Sequence, residues 1–196
     1  MTAPLDGLKD ELERFGTVND AGTAAPRRRM LNITRDTGEL LAVLVRASGA
    51  RRVLEIGTSD GYSTLWLAEA VDGTGGAVTT VERADDKVEL ARHNFARAGL
   101  ASVITLVHAD AGRFLLCAAD GAYDLVFLDS ERSEYAAWWP HLRRIVRAGG
   151  LLVVDNATSH PGELSPLVEL LRADSEFATC LVPIGKGEFL AAKAMR

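Results

Sequence analysis

The sequence predicts an α/β fold, a mostly parallel β-sheet with helices on both faces, closed by an antiparallel hairpin. Three observations carry this. Short apolar, β-branched segments alternate with segments of helical period, as in βαβ units whose sheet is buried on both sides. The first such strand runs straight into Gly57-Thr58-Ser59-Asp60-Gly61 and then into a helix, the layout of a nucleotide-type site. The last two strands are joined only by Ile184-Gly185-Lys186-Gly187-Glu188. That link is too short for a parallel crossover, so those strands are antiparallel.

The elements follow in order. Residues 5–15 carry Leu5, Leu8, Leu12 and Phe15 at helical spacing. After a polar Gly/Ala/Arg stretch, residues 37–47 do the same with Leu40, Leu41, Leu44 and Val45. Strands are expected at 52–56, 77–82, 103–108, 124–129 and 151–155, with helices at 62–70, 85–98, 112–119 and 133–146. Gly149-Gly150 reads as a helix stop and the turn into the fifth strand. The tail holds a helix at 164–172 and strands at 179–183 and 189–193. No repeat, low-complexity tract or linker interrupts the pattern. Residues 1–196 therefore read as a single domain, with 1–50 as a helical segment packing on its core.

A chain of 196 residues, 47% hydrophobic and 25% charged, can bury a sizeable core. Its net charge of −5 gives no global basic field for nucleic acid or anionic membrane. Arg27-Arg28-Arg29 is a local run that reads as a solvated helix face or an oligomer contact, with a phosphate or acidic-substrate contact the lesser option. Cys117 and Cys180 lie in apolar surroundings and read as small buried hydrophobes. The start, MTAPLDGLKDELERFG, is too polar and acidic for a signal peptide, and no apolar run approaches the roughly 20 residues of a membrane span. The expected compartment is the cytoplasm.

The turn after the first strand reads Glu55-x-Gly57-x-x-x-Gly61. It lacks the middle glycine of a dinucleotide site and the Gly-Lys-Ser/Thr of a phosphate loop. Glu82 ends the second strand, where a carboxylate accepts from a ribose diol. Asp110 and Ala111 follow the third strand, where an adenine edge can be met, and Ser63 opens the helix within reach of a small carboxylate. Together these suit an adenosyl ligand with an amino-acid tail; the plain alternative is a strand–turn–helix whose glycines only make the turn. Strands four and five end in Asp129 and in Asp155-Asn156. If neighbours, they bring two carboxylates and an amide oxygen into one crevice, hard ligands suited to Mg²⁺, Ca²⁺ or Mn²⁺. Strand-end aspartates also cap helices, which is the alternative.

These residues resemble motif I of the class I S-adenosylmethionine-dependent methyltransferases. More narrowly, they resemble the cation-dependent caffeoyl-CoA and catechol O-methyltransferase group, whose turn reads E-I-G-x-x-x-G-Y-S and is followed by a D…D-N pair. In element order the resemblance runs from about Asn32 to the C-terminus. It implies a Rossmann-like class I methyltransferase fold: a seven-stranded, mostly parallel sheet with an antiparallel last strand. It also implies that Glu55, Gly57, Thr58, Gly61, Ser63, Glu82, Asp110, Ala111 and Asp129 surround S-adenosylmethionine, with the Asn32-Ile33 backbone near its methionine end. Asp129, Asp155 and Asn156 stand at the metal positions.

The family segment D-A-D-K-x-x-Y appears here as Asp129-Ser130-Glu131-Arg132-Ser133-Glu134-Tyr135. Glu131 matches a substrate-contacting aspartate and is one methylene longer. Arg132 replaces a lysine to which the family assigns substrate deprotonation; a guanidinium does not lose its proton. It can still stabilise a phenolate or hold a carboxylate such as Glu131. His160, on the loop after Asn156, is the best alternative base, although a lone loop histidine also reads as solvated. The catalytic candidates are thus Asp129, Arg132 and His160.

Trp138-Trp139 read as core, with substrate stacking by one tryptophan the lesser option, and Tyr62 and Trp66 read as core or cofactor-side packing. The expected activity is O-methylation of a small, catechol-like aromatic acceptor with divalent-metal assistance. The short loop after Asn156 and the abbreviated N-terminus, relative to the plant enzymes, count against a CoA ester. The alternatives are a metal-independent O- or N-methyltransferase and a cofactor-binding protein with little catalysis. By resemblance the partners are a small-molecule acceptor and a second copy, docked through the N-terminal helices.

Overall fold

The computed structural model describes residues 3–195. In chain order its elements are α1 (Ala3–Gly22), α2 (Arg35–Ser48), β1 (Arg52–Ile56), α3 (Tyr62–Asp72), β2 (Ala77–Glu82), α4 (Asp85–Ala98), β3 (Ile104–His108), α5 (Ala111–Cys117), β4 (Tyr123–Leu128), α6 (Tyr135–Ile145), β5 (Val146–Val154), α7 (Pro161–Ala173), β6 (Phe177–Val182) and β7 (Glu188–Lys193). The strands form one seven-stranded sheet in the order β3-β2-β1-β4-β5-β7-β6. All pairs are parallel except those of β7, which is antiparallel to β5 and β6. This is the predicted architecture, antiparallel last strand included.

Period-two alternation splits the core in two. Val53 of β1, Val78, Leu125, Phe127 and Val153 pack under α1 to α4. Leu54, Ile56, Val81, Val126, Leu128, Leu152 and Val154 pack under α5 to α7. Leu5, Leu8 and Leu12 tie α1 into the first cluster. Beside them the fully buried Lys9 ammonium pairs with Glu69 at 2.6 Å and lies 3.5 Å over the Trp66 ring, a desolvated cation–π contact that fixes α1 on α3. Trp138 and Trp139 are buried as expected, and Trp139 meets Phe177 edge-on at 5.2 Å.

Three expectations change. The first helix extends to Gly22, beyond the apolar spacing that ends at Phe15. Gly149-Gly150 lies inside β5, which begins directly after α6. Gly149 has φ 71°, and the β4–β5 register shifts between Tyr123 and Leu125, so the pair forms an irregularity within the strand and not a turn before it. Cys117 and Cys180 are both exposed. The short helix α5 buries only Leu115, and β6 is the edge of the sheet with a largely exposed face. Arg27 and Arg28 are solvated in a 3-10 turn (Pro26–Arg28). Among the described residues no helix is long and apolar enough to cross a membrane.

Candidate active site

The strand order reverses between β1 and β4, the place where open parallel sheets bind ligands beyond their carboxyl ends. There the Gly57 N–H donates to Val81 O at 3.0 Å and the Asp129 N–H to Ile56 O at 3.0 Å. Gly57 has φ 103°, and a Cβ on it would stand 2.0 Å from the Asp129 carbonyl oxygen; only glycine fits. Gly61, at φ 91°, meets the Phe95 ring in the same way, a Cβ there standing 2.5 Å from the ring. Between them Ser59 takes φ 50°, held by its hydroxyl on Met30 O (2.7 Å) and its N–H on Glu82 Oε2 (3.0 Å). The other Glu82 oxygen accepts from the Arg83 and Ala84 N–H groups, each at 2.9 Å.

Glu55 lies beneath this turn, fully buried. Its carboxylate accepts from Ser63 Oγ and Thr80 Oγ1, each at 2.6 Å, and from Thr64. Thr80 also bonds Thr58 at 2.5 Å. Burial pushes the Glu55 carboxyl up to about 7, against the lowering effect of the three hydroxyls. The Ser63 hydroxyl, expected to face a ligand carboxylate, is thus spent on Glu55. Asp110 is exposed and caps α5, accepting from the Arg113 N–H at 3.0 Å, and Ala111 opens that helix. The Ala109 N–H on Glu82 O (2.9 Å) places this corner beside the end of β2. Buried Ile33 lies on the segment leading into α2.

The β4–β5 pairing sets Leu128 beside Val154 and so brings the predicted acidic residues together. The Asn156 amide donates to Asp155 Oδ2 at 2.8 Å and reaches Asp129 Oδ1 at 3.3 Å. Asn156 is held at φ 72°, a conformation uncommon outside glycine. Burial, and then the neighbouring Asp155, raise the Asp129 carboxyl well above the usual carboxylate range. A third carboxyl completes the group. Glu188 of β7 is fully buried, accepts from Thr37 Oγ1 at 2.9 Å and, among the described residues, leaves Oε2 without a partner. Burial and Asp155 push it up to about 9. Asp155 and Glu188, both acceptors, can bond each other only through a shared proton. Among the described residues no three His, Cys, Asp or Glu side chains have metal-holding geometry; the expected set holds only two such groups and an amide.

The other candidates lie around this crevice. Arg132 Nε pairs with Glu163 at 2.8 Å, and Glu131 accepts from Ser133 at 3.0 Å, so Arg132 holds Glu163 and not Glu131. The His160 ring bonds Ser159 Oγ at 2.9 Å and, among the described residues, neither aspartate. Sequence reading missed Asp60, Thr37, Lys186, Glu188 and the side chain of Asn32, of which only the backbone was expected at the site. Asp60 is buried in the turn, where burial raises its carboxyl, and it accepts from Tyr62 N and Asn32 Nδ2, both at 3.1 Å. Its place just before Gly61 was the available signal. The other four are joined only by tertiary packing and carry no local pattern. Lys186 Nζ donates to Asn32 O at 3.2 Å, beside a cavity of about 290 Å³ between α1, residues 31–35 and the β6–β7 turn.

Comparison with known proteins points one way. A family profile described as O-methyltransferase matches residues 18–194. A catechol O-methyltransferase of Mycobacterium tuberculosis (strain ATCC 25618 / H37Rv) is 37% identical over 145 residues. The match covers 74% of this chain and 66% of that protein, just under two thirds of its length. The crystal structure of the O-methyltransferase TomG from Streptomyces achromogenes, involved in tomaymycin synthesis and in complex with SAM, is similar with a TM-score of 0.77 at 26% identity. That likeness covers 97% of this chain and 89% of TomG. The O-methyltransferase from Bacillus cereus in complex with SAH shares the fold, with a TM-score of 0.81 at 23% identity over 95% of this chain and 90% of that one.

Proposed function

This chain belongs to the O-methyltransferase family, and from that premise we propose that it transfers a methyl group from S-adenosylmethionine to a hydroxyl of a small, catechol-like aromatic acceptor with the help of a divalent cation. One observation carries the reading. The glycine turn and the acidic crevice share the switch point, with Gly57 against the backbone of Asp129 and Asp129 joined through Asn156 to Asp155. A methyl donor in the turn and an oxygen acceptor at the carboxylates would then be neighbours.

The residues present fit both groups. The turn is kept open by two glycines, and its rim offers Glu82, fixed by three backbone N–H groups, as an acceptor. Thr58, Gly61, Ala111, Asp110 and the Ile33 backbone complete the proposed cofactor site, with Glu55 and Ser63 bracing it from below. For the cation, Asp129, Asp155 and the Asn156 amide oxygen are hard donors once the amide, whose oxygen now accepts from Ser159 Oγ at 3.2 Å, turns over, and the repulsion by Asp155 that adds to burial in raising Asp129 is what a dication relieves.

When bound, the cofactor supplies an electrophilic sulfonium methyl group and the cation a Lewis acid that lowers a hydroxyl's pKa. The protein's part is positioning: the Gly57–Gly61 turn fixes the donor's place, and Asp129 orients what lies between turn and crevice. Arg132 can stabilise negative charge on the acceptor oxygen but cannot accept its proton. His160, whose second ring nitrogen is left by the Ser159 bond, is the proposed proton acceptor. A metal-independent reaction has one observation in its favour: the Asn156 amide already donates to both aspartates and eases their repulsion.

Titration calorimetry with S-adenosylmethionine, with and without Mg²⁺ and catechol, tests the reading. Cofactor binding and Mg²⁺-dependent catechol methylation are expected. No binding at millimolar cofactor overturns the activity, and turnover undiminished in excess chelator overturns the metal. Asp155→Ala is expected to lower Mg²⁺-dependent turnover by at least about a hundredfold while cofactor affinity stays nearly unchanged.

A further inference from the structure

Lys186 is a cation at this site that forms no salt bridge among the described residues. Among the described residues its ammonium bonds only the carbonyl of Asn32, which leaves N–H donors unused. The other charges on the same cavity are committed. Arg35 pairs with Asp10 and, at 2.8 Å, with Glu13. Glu13 also accepts from Tyr62 Oη. Asp20 receives the Met30 and Leu31 N–H groups at 2.7 and 2.8 Å and the Asn19 amide at 2.9 Å. What remains for a ligand is the positive charge of Lys186.

Its position is built. The Lys186 carbonyl accepts from Thr158 N (3.0 Å), Ser159 N (3.1 Å) and Thr158 Oγ1 (2.6 Å), which clamps the β6–β7 turn onto the loop after Asn156. On its other side the ammonium is close enough to draw the Asp129 carboxyl downward. The amine thus lines the cavity on a turn that is bonded to the loop following Asn156 of the candidate cation site. At about 290 Å³, the cavity falls at the small end of ligand sites. That is room for one substituted ring.

We infer that the methyl acceptor is a hydroxylated aromatic acid and that Lys186 is the specificity-determining residue that binds its carboxylate. This rests on the O-methyltransferase reading proposed above. A charge-assisted hydrogen bond in a partly desolvated pocket confers about a 10- to 100-fold preference. The neutral amide of the same shape lacks it.

The test compares 3,4-dihydroxybenzoate with 3,4-dihydroxybenzamide as acceptors, for the wild type, Lys186→Met and Lys186→Arg. In the wild type kcat/KM is expected to favour the acid about 10- to 100-fold, mainly through KM. Lys186→Met brings the ratio close to one, and Lys186→Arg, which keeps the charge, retains most of it. Cofactor affinity by calorimetry is the same for all three. A wild-type ratio near one, or a ratio that survives in Lys186→Met, overturns the inference and leaves the methyltransferase reading standing. Equal loss of turnover on both acceptors in Lys186→Met and Lys186→Arg also overturns it and makes the amine a proton acceptor. Lost cofactor affinity with an unchanged ratio overturns it by assigning the amine to the cofactor. If neither acceptor is methylated, the methyltransferase reading falls and the inference with it.

Discussion

The glycine turn and the acidic crevice adjoin at Gly57 and Asp129 yet are built on opposite terms. In the turn nearly every polar group has a partner within the protein. Three hydroxyls meet Glu55, three N–H groups meet Glu82, and Asp60 takes Asn32 and Tyr62. In the crevice the charges conflict: Asp129 and Asp155 repel, Glu188 has an unpartnered oxygen, and Asn156 adopts a left-handed backbone. The turn is thus a rigid frame that is complete as it stands. The crevice stores unfavourable energy that a ligand can relieve, the usual condition of functional sites.

The most severe way to break the contrast is Gly57→Ala. The added Cβ meets the Asp129 carbonyl, in the residue directly after β4 whose N–H is held by Ile56 O, and φ 103° is itself unfavourable for alanine. Strain of about 1–3 kcal/mol and overpacking of a similar size lower Tm by roughly 4–20 °C at this chain length. A melting curve like that of the wild type would show that the turn yields and is no frame.

The two buried glutamates compare the regions by pH. Both carboxyls are raised in the folded state, Glu55 from 4.5 to about 7 and Glu188 to about 9. The native protein therefore binds more protons than the unfolded chain over those windows. Stability contributed by the neutral forms is full below about pH 4.5 and is lost as pH rises, to about 7 for Glu55 and about 9 for Glu188. Asp124 gives the opposite slope below about pH 4, because Arg52 and Arg147 hold it well below the usual range despite its burial. Glu188→Gln is expected to raise stability at pH 8 by about 1–3 kcal/mol, read by urea unfolding. Glu55→Gln trades relief from burying a charge against three hydrogen bonds and changes stability by less than about 1 kcal/mol. A larger gain from Glu55→Gln than from Glu188→Gln would reverse the comparison.

Asp155→Asn is the intermediate case. It removes the charge that raises both Asp129 and Glu188, so without metal it is expected to stabilise by about 1 kcal/mol. On the proposed reading Mg²⁺ stabilises the wild type by mass action, and in this variant it should no longer raise Tm. Destabilisation without metal would mean that the crevice, too, is satisfied by its own hydrogen bonds.

The contrast also explains what the sequence could reveal. The frame is local: β1, the turn and α3 are consecutive, so spacing alone places Glu55, Gly57 and Gly61. β1, β2 and α4 come out at their observed ends for the same reason. Asp129 and Asp155 are one strand–helix–strand unit apart and needed only the assumption that β4 and β5 are neighbours. Glu188 depends on the antiparallel register that pairs Val154 with Phe189, and a slip of one residue would turn it to the other face. Lys186 and Asn32 meet through two loops far apart in sequence, where no periodicity operates. The cysteines misled because an apolar neighbourhood in sequence says nothing about which strand lies at the edge, as for Cys180, or how little a short helix buries, as for Cys117.

Arg132 sits at the outer rim of the crevice, and its substitution has the smallest expected effect. Its bond to Glu163 is partly solvated, with the two side chains 21% and 47% exposed. Such a pair contributes no more than about 1 kcal/mol. Arg132→Lys should therefore leave Tm within about 2–4 °C of the wild type. The informative change is kinetic. Arginine stays charged through the accessible range, whereas a lysine beside the acceptor can give up its proton as pH rises. Activity of the variant above pH 8 should then climb relative to the wild type, with an ascending limb that the wild type lacks. If the two pH profiles run parallel, proton removal does not limit the rate at this position, and the conflict among Asp129, Asp155 and Glu188 is relieved without help from residue 132.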